Sequence, residues 1–154
     1  MSVIITTSAK ETKKIGFAFA KNLKKRQINQ KQALVVALEG NLGSGKTTFI
    51  QGLAAGLGIK ESVLSPTFLI LKEFTLRFSA KGGPASGWKY FYHIDAYRLK
   101  NSVEILELGF KDLIKNHQNL ILIEWADRIK KILPKNVLRI KFLNLGGNKR
   151  RIVL

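Results

Sequence analysis

The 154-residue sequence predicts an α/β protein with a P-loop NTPase-like three-layer fold, in which a mostly parallel central sheet carries antiparallel edge strands. Three observations predict it. Ala33–Glu39 and Leu120–Ile123 are continuous apolar runs, the mark of strands buried on both faces of a parallel sheet. A glycine-rich loop joins the first run to a helical stretch. Strand, loop and helix signals alternate throughout with no repeat and no linker, so residues 1–154 read as a single domain.

The elements follow in order. Val3–Thr7 is rich in β-branched residues and reads as a short edge strand. Ser8 then caps a helix to about Gln27, with Glu11 completing a capping box. Its apolar stripe is Ala9, Ile15, Gly16, Phe19, Ala20 and Leu23. The opposite face carries Lys10, Lys13, Lys14, Lys21, Lys24 and Lys25 around Phe17. That face reads either as solvated surface or as a dock for RNA or a partner, since a base can stack on an aromatic among lysines.

Beyond the glycine loop a helix runs from Lys46 to about Leu57, where Gly58 stops it. Phe68–Phe78 and Lys89–Asp95 read as strands separated by the turn-rich segment Ser79–Gly87. Val103–Leu108 and Phe110–Asn116 read as short helices before the strand Leu120–Ile123. Asp127–Ile132 reads as another, and Val137–Leu143 with Arg151–Leu154 as a closing hairpin.

Composition narrows the class. No apolar run approaches the ~18 residues of a membrane span. Met1–Ser8 has no basic segment ahead of an apolar stretch, and the chain contains no cysteine. The expectation is a cytoplasmic protein without membrane contact, disulfides or thiolate metal sites. The net charge of +17, from 27 basic against 10 acidic residues, favours polyanions. The basic residues are 20 Lys to 7 Arg, however, and lysine bias explains the excess equally well, because arginine is favoured for phosphate and base recognition.

Gly40-Asn41-Leu42-Gly43-Ser44-Gly45-Lys46-Thr47 matches G-x-x-x-x-G-K-[ST] in full. Glycines let consecutive N–H groups point inward at phosphate oxygens, and the helix that follows aims its positive dipole end at the same place. Lys46 is then a point charge for the β- and γ-phosphates, and the Thr47 hydroxyl a ligand for magnesium. A dinucleotide reading fails, because Thr48 stands where G-x-G-x-x-G needs its last glycine.

Such a loop works with a carboxylate at the end of another buried strand. Glu124 follows Leu120–Ile123 and fits; Asp95, closing the strand that ends His93-Ile94-Asp95, is the rival. The two can divide the work, one on the metal and one orienting water. His93 shares a strand face with Asp95 and reads as a hydrogen-bonded structural histidine or a general base. His117 reads as surface, and Trp125 as core packing or a contact for a base or partner.

Four segments in order then resemble the TsaE (YjeE) family, the bacterial ATPase of tRNA threonylcarbamoyladenosine synthesis. They are Gly40-Asn41-Leu42-Gly43-Ser44-Gly45-Lys46-Thr47-Thr48-Phe49, Ser65-Pro66-Thr67-Phe68, His93-Ile94-Asp95-Ala96-Tyr97-Arg98-Leu99 and Glu124-Trp125. The second and third are the specific ones. The resemblance implies that ATP is held by the loop through Thr48, and that Thr47 and Glu124 hold Mg2+. It implies a γ-phosphate-sensing Thr67, a catalytic or metal-linked Asp95, a Thr12 near the adenine pocket, and Lys149 or Arg150 near the nucleotide. It also implies TsaB and TsaD as partners, tRNA being met through that complex, and slow hydrolysis by the lone chain. Ser79–Trp88 is longer than the resemblance leads one to expect.

On the residues alone two other readings stand. A small-molecule kinase can be built on the same loop, although no arginine-rich lid accompanies these 7 arginines. A basic RNA-binding module can use the site as a switch. Arg98 and Arg128 are the candidates for an arginine finger, or are structural.

Overall fold

The buried hydrophobic runs assemble into one seven-stranded sheet. The computed structural model describes residues 2–24, 31–64, 69–76 and 87–154, and statements of structure refer to these. The strands are β1 (Val3–Thr6), β2 (Leu34–Glu39), β3 (Leu71–Thr75), β4 (Tyr90–Asp95), β5 (Asn119–Glu124), β6 (Leu138–Asn144) and β7 (Arg150–Val153). Their order is β1-β7-β6-β2-β5-β4-β3. β6, β2, β5 and β4 pair in parallel. β3 joins β4 antiparallel at one margin, and β7 lies antiparallel between β6 and β1 at the other. Five of the seven strands therefore point one way, as the expected mostly parallel sheet with antiparallel margins requires.

Alternation along the central strands separates two cores. Leu34, Val36 and Leu38 of β2 and Leu120 and Leu122 of β5 pack with the helices α1 (Ala9–Lys24) and α2 (Lys46–Leu57). Val35, Ala37, Ile121 and Ile123 face the other way, toward α3 (Val103–Glu107), α4 (Phe110–Lys115) and the 3₁₀ segment Ala126–Ile132. Both runs are apolar at every position because both sheet faces are covered. Each fully buried Leu or Phe, such as Leu53 or Phe49, contributes roughly 1.5–3 kcal/mol.

α1 begins as its sequence predicts, with a small change. Ser8 Oγ accepts the Glu11 N–H at 3.2 Å, but the Glu11 carboxylate takes the N–H of Thr7 at 2.6 Å, one residue earlier than a regular capping box. The helix lies unusually close to α2. A Cβ on Gly52 would stand 2.0 Å from the Lys13 carbonyl oxygen, and one on Gly16 2.1 Å from that of Phe49. Only glycine permits the approach, and it brings the first turn of α1 beside the head of α2.

Most of the other boundaries move by a residue or two. Asp127–Ile132 proves to be 3₁₀ turns broken at Ile129 rather than a regular helix, and β3 is shorter than the expected Phe68–Phe78. Residues 25–30, Ser65–Phe68 and 77–86 lie outside the described residues, and with them the end of the first predicted helix, Thr67 and most of the Ser79–Trp88 loop. Phe17 is 39% exposed, as its place among the lysines predicts, yet one face of its ring is taken by the Lys21 ammonium, 4.9 Å from the centroid. Among the described residues no helix is long and apolar enough to cross a membrane.

Candidate functional site

β2, β5 and β4 end together at one edge of the sheet, and their last residues Glu39, Glu124 and Asp95 differ in fate. Glu39 is tied to Arg139 at 2.6 Å. Glu124 and Asp95, paired in register across β5 and β4, line a cavity of about 650 Å³ with Leu42–Thr48. A crevice at the carboxyl ends of parallel strands is where open α/β sheets bind ligands.

The glycine loop leaves β2 and enters α2 directly. Gly45 caps that helix in the left-handed region at φ 97°, and α2 has no side-chain cap, so its first N–H groups remain for a ligand. Lys46 is 4% exposed. Its ammonium donates to the carbonyls of Gly40 at 2.6 Å and Asn41 at 3.0 Å. It also lies 4.1 Å from the centroid of the Trp125 ring, a cation–π distance. Burial holds the Lys46 ammonium below its usual pKa range, with Glu124, Asp95 and Asp127 opposing that shift. The site thus holds a positive charge it solvates poorly.

Thr47 and Glu124, 77 residues apart, meet because β2 and β5 are parallel neighbours. The Thr47 hydroxyl donates to Glu124 Oε2 at 2.9 Å, with Oε1 at 3.2 Å. Glu124 is 3% exposed, and His93 Nε2 stands 2.9 Å from its Oε1. A hydroxyl and a buried carboxylate converging on one point are hard oxygen donors that fit magnesium. Asp95 is half-buried at the same edge, and its Oδ1 accepts the Tyr97 N–H at 2.9 Å.

The remaining expected residues divide. Asn41 does not line the cavity; its carbonyl takes Lys46 and the Ser44 N–H and so shapes the loop. Thr12 is buried at the wall, with its hydroxyl bonded to Thr6 Oγ1 at 2.8 Å and to the Ser8 carbonyl at 3.2 Å. It therefore offers the cavity its methyl group, which lies beside Gly45. Arg150 lines the cavity and Lys149 does not. The Arg150 guanidinium is held by Asn144 Oδ1 and the Gly147 and Lys149 carbonyls, at 2.8 to 3.1 Å. Arg98 lies on the wall, while Arg128 stacks 5.3 Å from the Tyr97 ring.

Several wall residues carried no motif. Asn148, Glu104, Leu69 and Ile70 line the cavity. Trp125 is the one described non-glycine residue with positive φ, at 56°, a conformation costing about 1–2 kcal/mol. It turns the chain sharply after Glu124 and lays its ring between Lys46 and Tyr97, whose centroid is 4.9 Å away. Tyr97 in a strand-end motif and a Trp after Glu124 were the available signals, but neither encodes that turn.

Comparison with known proteins gives this geometry a context. The family model for "Threonylcarbamoyl adenosine biosynthesis protein TsaE" matches residues 6–152. The tRNA threonylcarbamoyladenosine biosynthesis protein TsaE of Bacillus subtilis is 40% identical over 118 residues, 77% of this chain and 66% of that protein. The protein of the same description from Rickettsia prowazekii is 37% identical over 145 residues, covering 93% of this chain and 87% of its own. That from Treponema pallidum is 30% identical over 150 residues, 97% of each. The crystal structure of Bacillus subtilis YdiB superposes with a TM-score of 0.69 at 32% identity, over 98% of this chain and 82% of that one. With a match spanning nearly every described element and the loop, strand-end carboxylates and His-x-Asp segment gathered at one cavity, the chain belongs to the TsaE family of tRNA threonylcarbamoyladenosine biosynthesis proteins.

Proposed function

We propose that this chain is a P-loop ATPase of tRNA threonylcarbamoyladenosine synthesis, slow alone and stimulated by TsaB and TsaD in the cytoplasm. The observation that carries the reading is the meeting of Thr47 and Glu124 at 2.9 Å, at the uncapped head of α2 and beside the buried Lys46. The triphosphate lies along Leu42–Thr48, drawing the loop amides and exchanging the carbonyl partners of Lys46 for phosphate oxygens. That exchange sets phosphate charge against the buried ammonium and so offsets a desolvation cost already present in the free protein.

Thr47 and Glu124 are the residues that would hold magnesium, and the cation when bound neutralises charge building on the β- and γ-phosphate oxygens. Hydrolysis is an in-line attack of water on the γ-phosphorus, breaking its bond to the bridging oxygen and releasing ADP and phosphate. Asp95 at the mouth, or Thr67, orients that water. Arg98 and Arg150 are the arginines of the wall, and Arg150 is already held by its own hairpin. A partner that completes the charge stabilisation is therefore expected to raise the rate.

Calorimetry with ATP and magnesium tests the binding half: heat and a raised melting temperature are expected, and neither in millimolar nucleotide would end the reading. Hydrolysis measured alone and with TsaB and TsaD tests the rest. Stimulation is expected, and fast turnover by the lone chain would remove the partner from the mechanism.

A further inference from the structure

We propose that His93 is a positioning residue, fixing the Glu124 carboxylate in the orientation that meets Thr47 and the cation. The inference rests on the magnesium–nucleotide reading above and adds a residue to it. His93 is fully buried on β4, on the face it shares with Phe91 and Asp95, and stands opposite Leu122 of β5 in the parallel register. That face packs under α1 and α2. From there the ring reaches two residues further along β5, and Nε2 lies 2.9 Å from Glu124 Oε1.

The Thr47 hydroxyl spans both carboxylate oxygens, nearer to Oε2, and the imidazole adds a second donor on Oε1. Two donors so placed stop rotation of the carboxylate plane, which otherwise turns freely about its last torsion. A bond to a carboxylate requires the hydrogen on Nε2. Nδ1, meanwhile, has no hydrogen-bond partner among the described residues. Among the described residues the ring thus makes one polar bond, to Glu124, and its other nitrogen makes none. A histidine kept only to fill space would be bettered by leucine, which leaves no orphaned nitrogen. A histidine kept to hold Glu124 would not. Carboxylates that ligate metals are themselves held by hydrogen bonds, and loss of the holding group weakens the metal rather than the remaining ligand.

The test compares His93→Leu, His93→Asn and His93→Gln in the full chain. Gln carries its amide nitrogen to about where Nε2 stands, whereas Asn carries it only to the place of Nδ1. Manganese, read by its electron paramagnetic resonance signal, replaces magnesium in the complex with ADP, and ADP affinity is measured separately in EDTA. His93→Leu and His93→Asn are expected to weaken manganese about 10–100-fold, with His93→Gln recovering most of that loss. Nucleotide affinity in EDTA should stay within about twofold for all three. In a Glu124→Gln background, His93→Leu should have no further effect on manganese.

Equal manganese affinity in every folded variant overturns the proposal. So does a Gln variant no better than Asn, or an additive effect in the Glu124→Gln background. If His93→Leu does not fold, the Gln and Asn pair decides alone. A wild-type chain that binds neither ADP nor manganese instead removes the nucleotide reading, and this inference falls with it; that result is visible before any variant is made.

Discussion

The cavity has two ends built by different means. At the proposed phosphate end, Lys46 and Thr47 come from the head of α2, Glu124 from β5 and His93, behind Glu124, from β4, all at the parallel centre of the fold, and three of the four are under 5% exposed. At the hairpin end, Ala9, Thr12, Asn148 and Arg150 come from the start of α1 and the β6–β7 turn, on the antiparallel margin. The first end has its charges buried and hydrogen-bonded before any ligand arrives, Lys46 to the Gly40 and Asn41 carbonyls and Glu124 to Thr47 and His93. The second offers a methyl group, an exposed asparagine and an arginine tied to its own turn. On the proposed reading, chemistry that needs fixed charge falls to the parallel centre of the sheet, and recognition of the rest of the nucleotide to its antiparallel margin.

If that division holds, variants at the two ends differ in kind as well as size. The largest effect is expected at Asp95, at the mouth of the phosphate end. Asp95→Ala should lower turnover about 10²–10⁴-fold while nucleotide affinity changes little, read by single-turnover hydrolysis beside calorimetry. Unchanged turnover would take Asp95 out of the reaction and leave Glu124 and Thr67. Lys46→Ala comes next. Affinity for ATP should fall about 100-fold or more, because the charged donor to two phosphates is gone. Calorimetry showing tight ATP binding by this variant would break the comparison at its strongest point.

Much of the phosphate end was legible in the sequence, because it is local. Gly40–Thr48 is contiguous, and Glu124 and Asp95 each close an apolar run, so their residues can be named without knowing which strands are neighbours. The bond from His93 to Glu124 cannot, since it depends on β4 and β5 lying side by side in parallel. The residues alone suggested a hydrogen-bonded histidine but not its partner. The hairpin end depends on the order β1-β7-β6, which no pattern along the chain reveals. Thr12 and Arg150 came only from the family resemblance. The left-handed turn at Trp125 was illegible for another reason: a tryptophan has no preference for it, and the surrounding packing imposes it.

Gly52 tests whether the two ends are mechanically joined. Its missing side chain lets α1 lie on α2, and α1 carries Thr12 and Ala9 to the hairpin end. Gly52→Ala should destabilise the chain by about 1–3 kcal/mol, lowering the melting temperature by roughly 2–4 °C for each of those. Nucleotide affinity should weaken in the folded variant, while the metal dependence at the phosphate end should not change. A smaller loss is expected from Arg150→Ala, about 3–10-fold in nucleotide affinity with turnover at saturation unaltered. A fall in saturated turnover would move Arg150 from recognition into the reaction.

The smallest effect is the most diagnostic of the difference between the ends, since it concerns the free protein. Burial holds the Lys46 pKa below its ordinary value, so between the folded value and the unfolded value near ~10.4 the unfolded chain binds more protons than the folded one. Stability contributed by this group therefore rises with pH through that window, by no more than about 1.4 kcal/mol per pH unit. Below the window both states are protonated and the full cost of burying the ammonium remains. Other lysines titrate there too, so the measurement is a difference: denaturant unfolding of wild type and Lys46→Met across alkaline pH. Wild type should gain relative to the variant as pH rises, and saturating nucleotide should abolish the gain, because phosphate charge replaces the lost hydration. Arg150→Gln, at the exposed end, should track wild type throughout. Parallel profiles for wild type and Lys46→Met would mean that the free site holds its lysine without cost. The phosphate end would then gain nothing from being built before its ligand arrives.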